Sequence, residues 1–242
     1  MTLLFVAGSH TDVGKTHVAC ALLHAARQAG HEVDAFKPVL SGFDAQRPEA
    51  SDAGRLLEAL DRQPTDANFD AVAPLRFEAP VAPPLAARRH GVRLSREGLV
   101  RLCNGWIARS PGNLGLLEGA GGVMSPIADD ATNLDVIDDL GLPVLLVGGA
   151  YLGAVSHTLT ALEVLRARGA MVVALVVSAC GDEEAPVFSE TVELTRRFVG
   201  ATPIVAASRT GSRRWARELL EILPSDRPSR RSPSGGRPRG AA

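Results

Sequence analysis

The apolar run Leu3–Ala7 leads straight into GSHTDVGKT, residues 8 to 16, and then into an Ala- and Leu-rich stretch. A strand, a glycine-containing turn and a helix, in that order, make the setting of a phosphate-binding loop. Such a loop turns backbone N–H groups inward at phosphate oxygens, and the positive end of the next helix adds roughly 0.3–2 kcal/mol. Lys15 supplies a full charge for the β- and γ-phosphates, and Thr16 a hydroxyl for a magnesium ion. The general pattern G-x-x-x-x-G-K-[ST] does not fit, because it asks for glycine where Ser9 stands, and Gly8 comes one residue early. A glycine-rich turn beside a surface lysine is the bland alternative, and the flanking strand and helix weigh against it.

The rest of the chain repeats this alternation. Strand candidates are residues 3–7, Glu32–Lys37, 114–118, 143–147 and 172–177. Helical patterns cover 15–29, with Gly30 placed to end the helix, then 52–60, 95–108 with Ser95 as N-cap, 133–140, 153–168 and 184–199. The later strands are apolar on both faces, which implies a parallel sheet covered by helices on both sides. The expected fold is α/β: a doubly wound, mostly parallel sheet of the P-loop NTPase kind. Residues 64–91 read as irregular, because Pro74, Pro80, Pro83 and Pro84 forbid a long regular element. From Pro224 onward the chain is Arg, Ser, Pro and Gly without an apolar period. One domain over 1–223 and a disordered basic tail over 224–242 are the expectation.

With 242 residues, 45% of them hydrophobic, the chain can bury a sizeable core. A net charge of −1 and 4% aromatic residues give no reason to expect nucleic-acid binding. Cys20, Cys103 and Cys180 are scattered, which suits a reduced protein. The N-terminal apolar run is too short for a signal peptide or a membrane span, so a soluble cytoplasmic protein is expected. His10, His17, His24 and His31 recur every seven residues. On a helix His17 and His24 would stand about 10.5 Å apart, too far to share one metal ion.

Two further clusters carry chemistry. Phe36-Lys37-Pro38-Val39-Leu40-Ser41-Gly42 puts Lys37 at the carboxyl end of a strand, the edge where open α/β sheets bind ligands. Leu116-Leu117-Glu118-Gly119-Ala120-Gly121-Gly122 closes an apolar strand with a carboxylate suited to holding magnesium, followed by glycines that let the backbone approach a ligand. Taken singly, Lys37 reads as an exposed strand-end lysine and Glu118 equally well as structural.

Together, in this order and spacing, the three clusters resemble dethiobiotin synthetase. That family carries G-T-x-T-x-V-G-K-T, then K-P-V-x-S/T-G, then E-G-A-G-G, matched here by Gly8, Thr11 and Val13–Thr16, by Lys37–Val39 with Ser41 and Gly42, and by Glu118–Gly122. Weaker matches are Leu142–Val147, Leu152-Gly153 and His157, and the resemblance spans residues 1 to about 200. It implies ATP-dependent carboxylation of 7,8-diaminononanoate with CO2 and closure of a ureido ring through a phosphorylated carbamate. It implies Lys37 as the catalytic lysine, Ser41 on the diamine, and magnesium on Thr16, Asp52 and Glu118. Nucleotide contacts would come from Asp12, Val13, Gly14, Lys15, Thr16, His17, Asp52, Glu118, Gly119, Ala120 and Gly121. A homodimer is expected by the same resemblance.

Three positions depart from the family's pattern. His10 stands where Asp, Gly or Asn is usual, Ser178-Ala179-Cys180 where an Asn helps to read adenine, and Ala207-Ser208-Arg209 lacks a proline. A ParA-like ATPase switch is the competing reading. Such proteins usually carry a second lysine in the loop, near the position His10 occupies.

Overall fold

The computed structural model describes residues 2–110, 112–179, 185–210 and 213–224. The basic tail expected beyond Pro224 and the Cys180 end of the base-reading segment lie outside them. Six strands form one parallel sheet: β1 (Thr2–Gly8), β2 (Val33–Phe36), β5 (Leu114–Gly122), β8 (Val144–Gly148), β9 (Val172–Ser178) and β10 (Ile204–Ala207). Their spatial order is β10-β9-β8-β1-β5-β2. β1 thus lies between strands that reach it by crossovers in opposite directions, and its carboxyl end opens the crevice where such sheets bind ligands.

Each strand feeds two cores, because successive side chains point to opposite faces. From β1, Leu4 and Val6 join Leu145 and Val147 under α1 (Lys15–Gln28), α2 (Asp52–Ala59), α3 (Asp66–Val72) and α9 (Arg214–Ile222). Phe5 and Ala7 join Val144 and Leu146 under α5 (Arg96–Arg109), α6 (Asn133–Leu140), α7 (Ala154–Ala167) and α8 (Ala185–Arg196). This is the doubly wound layering read from the apolar strands. Because the α1 face takes Leu114 and Leu116, the same alternation turns Glu118 toward α1.

Helix ends follow local chemistry. After α1, Gly30 adopts φ 84° while His31 N–H donates to Ala26 O and Gly30 N–H to Arg27 O, a Schellman closure that glycine permits at little cost. Ser51 and Ser95 cap α2 and α5 through their hydroxyls. Thr132 and Asp135 form a reciprocal capping box on α6.

The proline-rich stretch differs from its expectation. It holds α3, the short strand β4 (Leu75–Phe77) and α4 (Pro83–Arg89). Pro83 and Pro84 occupy the first turn of α4, where their missing N–H groups need no partner. β4 pairs in parallel with β3 (Val39–Ser41), a small second sheet that carries Ser41. A hairpin of β6 (Pro126–Ala128) and β7 (Ala131–Thr132) leads into α6. Strand β10 and helix α9, which carried no sequence assignment, close the far side. Among the described residues no helix is long and apolar enough to cross a membrane.

Candidate active site

The loop between β1 and α1 is shaped by two glycines. Gly14 has φ 94°, and a Cβ there would come within 2.5 Å of Ser178 Oγ. A Cβ on Gly8 would meet His10 O at 2.8 Å and Lys15 Nζ at 3.0 Å. The early glycine therefore makes room for the loop to fold back over its own lysine, and Lys15 Nζ reaches His10 O at 3.4 Å. Burial, and then the neighbouring Lys37, lower the Lys15 ammonium to about 8. A buried cation short of counter-charge is suited to an anionic ligand.

Lys37, Asp52 and Glu118 arrive from three separate elements and meet. Lys37 follows β2, and its N–H donates to Val72 O at 2.7 Å, which fixes the chain there. Its Nζ donates to Glu118 Oε1 at 2.6 Å and to Asp52 Oδ2 at 2.7 Å. Thr16 Oγ1 donates to the same Glu118 Oε1 at 2.7 Å. Lys37 is 3% exposed and Glu118 1%. Burial opposes the charge on Lys37, but Glu118 and Asp52 outweigh it and raise the ammonium above its ordinary range. Burial likewise opposes ionisation of Asp52, and Lys37 overcomes it, holding that carboxyl below its usual value.

Glu118 Oε2 is buried and has no hydrogen-bond partner among the described residues. An orphaned carboxylate oxygen beside Asp52 and the Thr16 hydroxyl is a hard, anionic oxygen set, and it fits a divalent cation completed by phosphate oxygens. Beyond Glu118, Asn133 holds the glycine-rich strand end. Its Nδ2 donates to Ala120 O at 2.7 Å and to Gly122 O at 2.9 Å, while its Oδ1 accepts from Ala120 N–H at 3.2 Å. Asn133 has no role legible in the sequence, since nothing local marks a side chain that will satisfy a strand eleven to thirteen residues earlier.

A cavity of about 280 Å³ joins these groups. Thr11, Asp12, Gly14, Lys15, Thr16, His17, Lys37, Ser41, Asp52, Glu118, Ala120 and Gly121 line it, as do Leu40, Arg55 and Arg209. Val13 packs its side chain into the core, fully buried, and Gly119 faces Asn133 and Phe5. Arg55 was not singled out from the sequence, and Arg209 entered only within Ala207-Ser208-Arg209, the segment that lacks the family's proline. Arg55 follows Asp52 by three residues on α2, a spacing that predicts a shared face; Arg209 offered no such signal. His17 is pushed below the ordinary imidazole range by burial, then by Arg209, Arg55 and Arg213. His10 points away from the cavity, stacking on His157 with centroids 5.3 Å apart.

The arrangement can hold a polyphosphate and support phosphoryl transfer. Two ammonium groups, two carboxylates and loop N–H groups converge, and positioning with charge stabilisation is what that chemistry asks of a protein. Comparison with known proteins agrees. The AAA domain family matches residues 2–210. The ATP-dependent dethiobiotin synthetase BioD of Phenylobacterium zucineum is 61% identical over 232 residues, which cover 96% of this chain and 99% of that one. Those of Caulobacter vibrioides and Methylobacterium nodulans are 52% and 44% identical over 92% and 93% of this chain, covering 99% and 100% of theirs. MinD of Aquifex aeolicus shares the fold, with a TM-score of 0.53 at 11% identity over 92% of this chain and 86% of its own. On the identity and coverage of these relatives, the chain belongs to the ATP-dependent dethiobiotin synthetases.

Proposed function

We propose that the chain closes the ureido ring of dethiobiotin from 7,8-diaminononanoate, CO2 and ATP, with the cleft between Lys15, Lys37 and Ser41 as the reaction site. One amine adds to CO2 and loses a proton, giving a carbamate. The γ-phosphoryl group passes from ATP to a carbamate oxygen and leaves ADP. The second amine then attacks the activated carbonyl and expels phosphate. The observation that carries this reading is the convergence of Lys15 and Lys37 on one cavity bordered by Ser41, Asp52 and Glu118.

Lys15 and the loop N–H groups hold the β- and γ-phosphates. Lys37 turns from its carboxylates toward the carbamate and the transferring phosphoryl group, whose negative charge it offsets in the transition state. Ser41, at the end of β3, orients the diamine. Thr16, Asp52 and Glu118 would hold magnesium, which would neutralise phosphate charge. Asp12, Gly14, His17, Ala120 and Gly121 border the bound nucleotide; Val13 and Gly119 contribute through their main chain. Cys20 and Cys103 are free thiols, each pushed up to about 12 by burial.

A homodimer is part of the proposal. Leu152 and Met124, in loops at the carboxyl ends of the strands, are 103% and 55% exposed. Large apolar side chains so placed are readily covered by a second copy.

The test is direct. Purified protein is incubated with 7,8-diaminononanoate, bicarbonate, magnesium and ATP, and dethiobiotin is sought by mass spectrometry. Product that requires all four components supports the assignment. Phosphate release that ignores the diamine, with no product, favours an ATPase switch and overturns it.

A further inference from the structure

Two cations border the cleft that neither the phosphate loop nor the Lys37 cluster employs. Arg209 follows β10, and its Nε donates to Ala179 O at 2.6 Å, which pins the guanidinium at the end of β9. Its Nη2 stands 3.2 Å from where a Cβ on Gly14 would lie, so the group covers the glycine that opens α1. One of its five N–H bonds is thus satisfied, and the others have no acceptor among the described residues. Arg55, on α2, faces the same cavity with no hydrogen bond or ion pair of its side chain among those residues. His17 lines the same cavity, and its Nε2 is buried and without a partner among the described residues.

Topology decides which part of a ligand these groups meet. Lys37, Ser41 and Glu118 belong to the β2–β5 side of β1, and Arg209 to the β9–β10 side. A triphosphate lying across the loop with its terminal group at Lys37 carries its α-phosphate and nucleoside toward Arg209. We infer that Arg209, assisted by Arg55, clamps the α-phosphate side of the bound nucleoside triphosphate and reads its charge, not its base. The inference rests on the nucleotide reading of this cleft. A guanidinium aimed at phosphate oxygens meets acceptors that every nucleoside triphosphate presents alike.

Titration calorimetry of the full chain with ATP, CTP, GTP and inorganic tripolyphosphate tests this. The parent is expected to bind the three nucleotides within about fivefold of one another. Losing a charged hydrogen-bond donor costs roughly tenfold or more in affinity. Arg209→Ala should therefore weaken all four ligands together, and Arg55→Ala should do so without disturbing the β9 end. Arg209→Lys, which keeps the charge and loses the fork, should fall between parent and Arg209→Ala. Melting curves of the free variants report whether each is folded, and Arg55→Ala, an exposed helix position, preserves the test if Arg209→Ala is not. Parent-like binding by both alanine variants overturns the inference, as does a loss confined to ATP. A parent that binds none of the four removes the nucleotide reading itself.

Discussion

Lys37 is the side chain whose removal the structure makes most informative. Its Nζ is held between Asp52 and Glu118 at 2.7 and 2.6 Å. Replacement by Met keeps the apolar stem and deletes the charge, leaving the fully buried Glu118 and Asp52 without their ion-paired cation and with Lys15 alone acting on them from farther off. Breaking a buried ion pair from one side costs about 3–5 kcal/mol, and the partial exposure of Asp52 points to the lower end. For a chain of this size about 3 kcal/mol lowers the melting temperature by roughly 6–12 °C.

The same deletion frees the oxygens that the proposed magnesium site requires. In the parent, a divalent cation competes with the ammonium for Glu118 and Asp52; in Lys37→Met it does not. Magnesium should therefore raise the melting temperature of nucleotide-free Lys37→Met more than that of the parent. At a hundred times its dissociation constant the cation restores about 2.7 kcal/mol, most of what was lost. The assay is thermal unfolding in EDTA and across a magnesium series, without nucleotide. Turnover should remain lost throughout, by roughly 10²–10³-fold or more, because magnesium cannot replace a charge on the carbamate. A variant as stable as the parent in EDTA, or one stabilised by magnesium no more than the parent, refutes this account of the cluster.

Gly14→Ala combines a positive φ with a Cβ 2.5 Å from Ser178 Oγ, so nucleotide binding by calorimetry should fall at least tenfold. Asn133→Leu removes the side-chain partners of Ala120 O and Ala120 N–H in the interior, while Gly122 O keeps the Ser125 N–H. A loss of about 2–4 kcal/mol in urea unfolding, with weakened magnesium-nucleotide binding, is expected. Asp135 is held below its usual value by the Thr132 backbone N–H and then the Thr132 hydroxyl. A depressed carboxyl contributes stability above about pH 4 that is lost as pH falls further. Asp135→Asn should accordingly lower stability at pH 7 and flatten the acid limb of the stability profile. Leu152→Asp should shift the proposed dimer toward monomer in sedimentation velocity while leaving the melting curve of the monomer unmoved.

The phosphate loop was legible because its cause is local: strand, Gly14 and helix are neighbours in sequence, and the left-handed φ at Gly14 needs no distant partner. The layering was legible too, since strands apolar on both faces dictate helices on both sides. The assembly of the reaction site was not. Lys37 and Glu118 are 81 residues apart, and their contact depends on β2 and β5 being adjacent at the sheet's end. Strand order is set by crossovers, and no motif announces it. Glu118 alone read as evenly structural or functional because burial decides the matter, and burial belongs to the folded sheet. Arg209 is the clearest case. It follows the short apolar run of β10, and nothing in that run announces that the pairing of β10 with β9 carries Arg209 over Gly14, some two hundred residues earlier. A segment whose departure from the family's pattern looked like a lost base contact thereby becomes a source of charge at the cavity. Sequence motifs mark what touches the phosphates from nearby, and the sheet's order determines which remote cations join them.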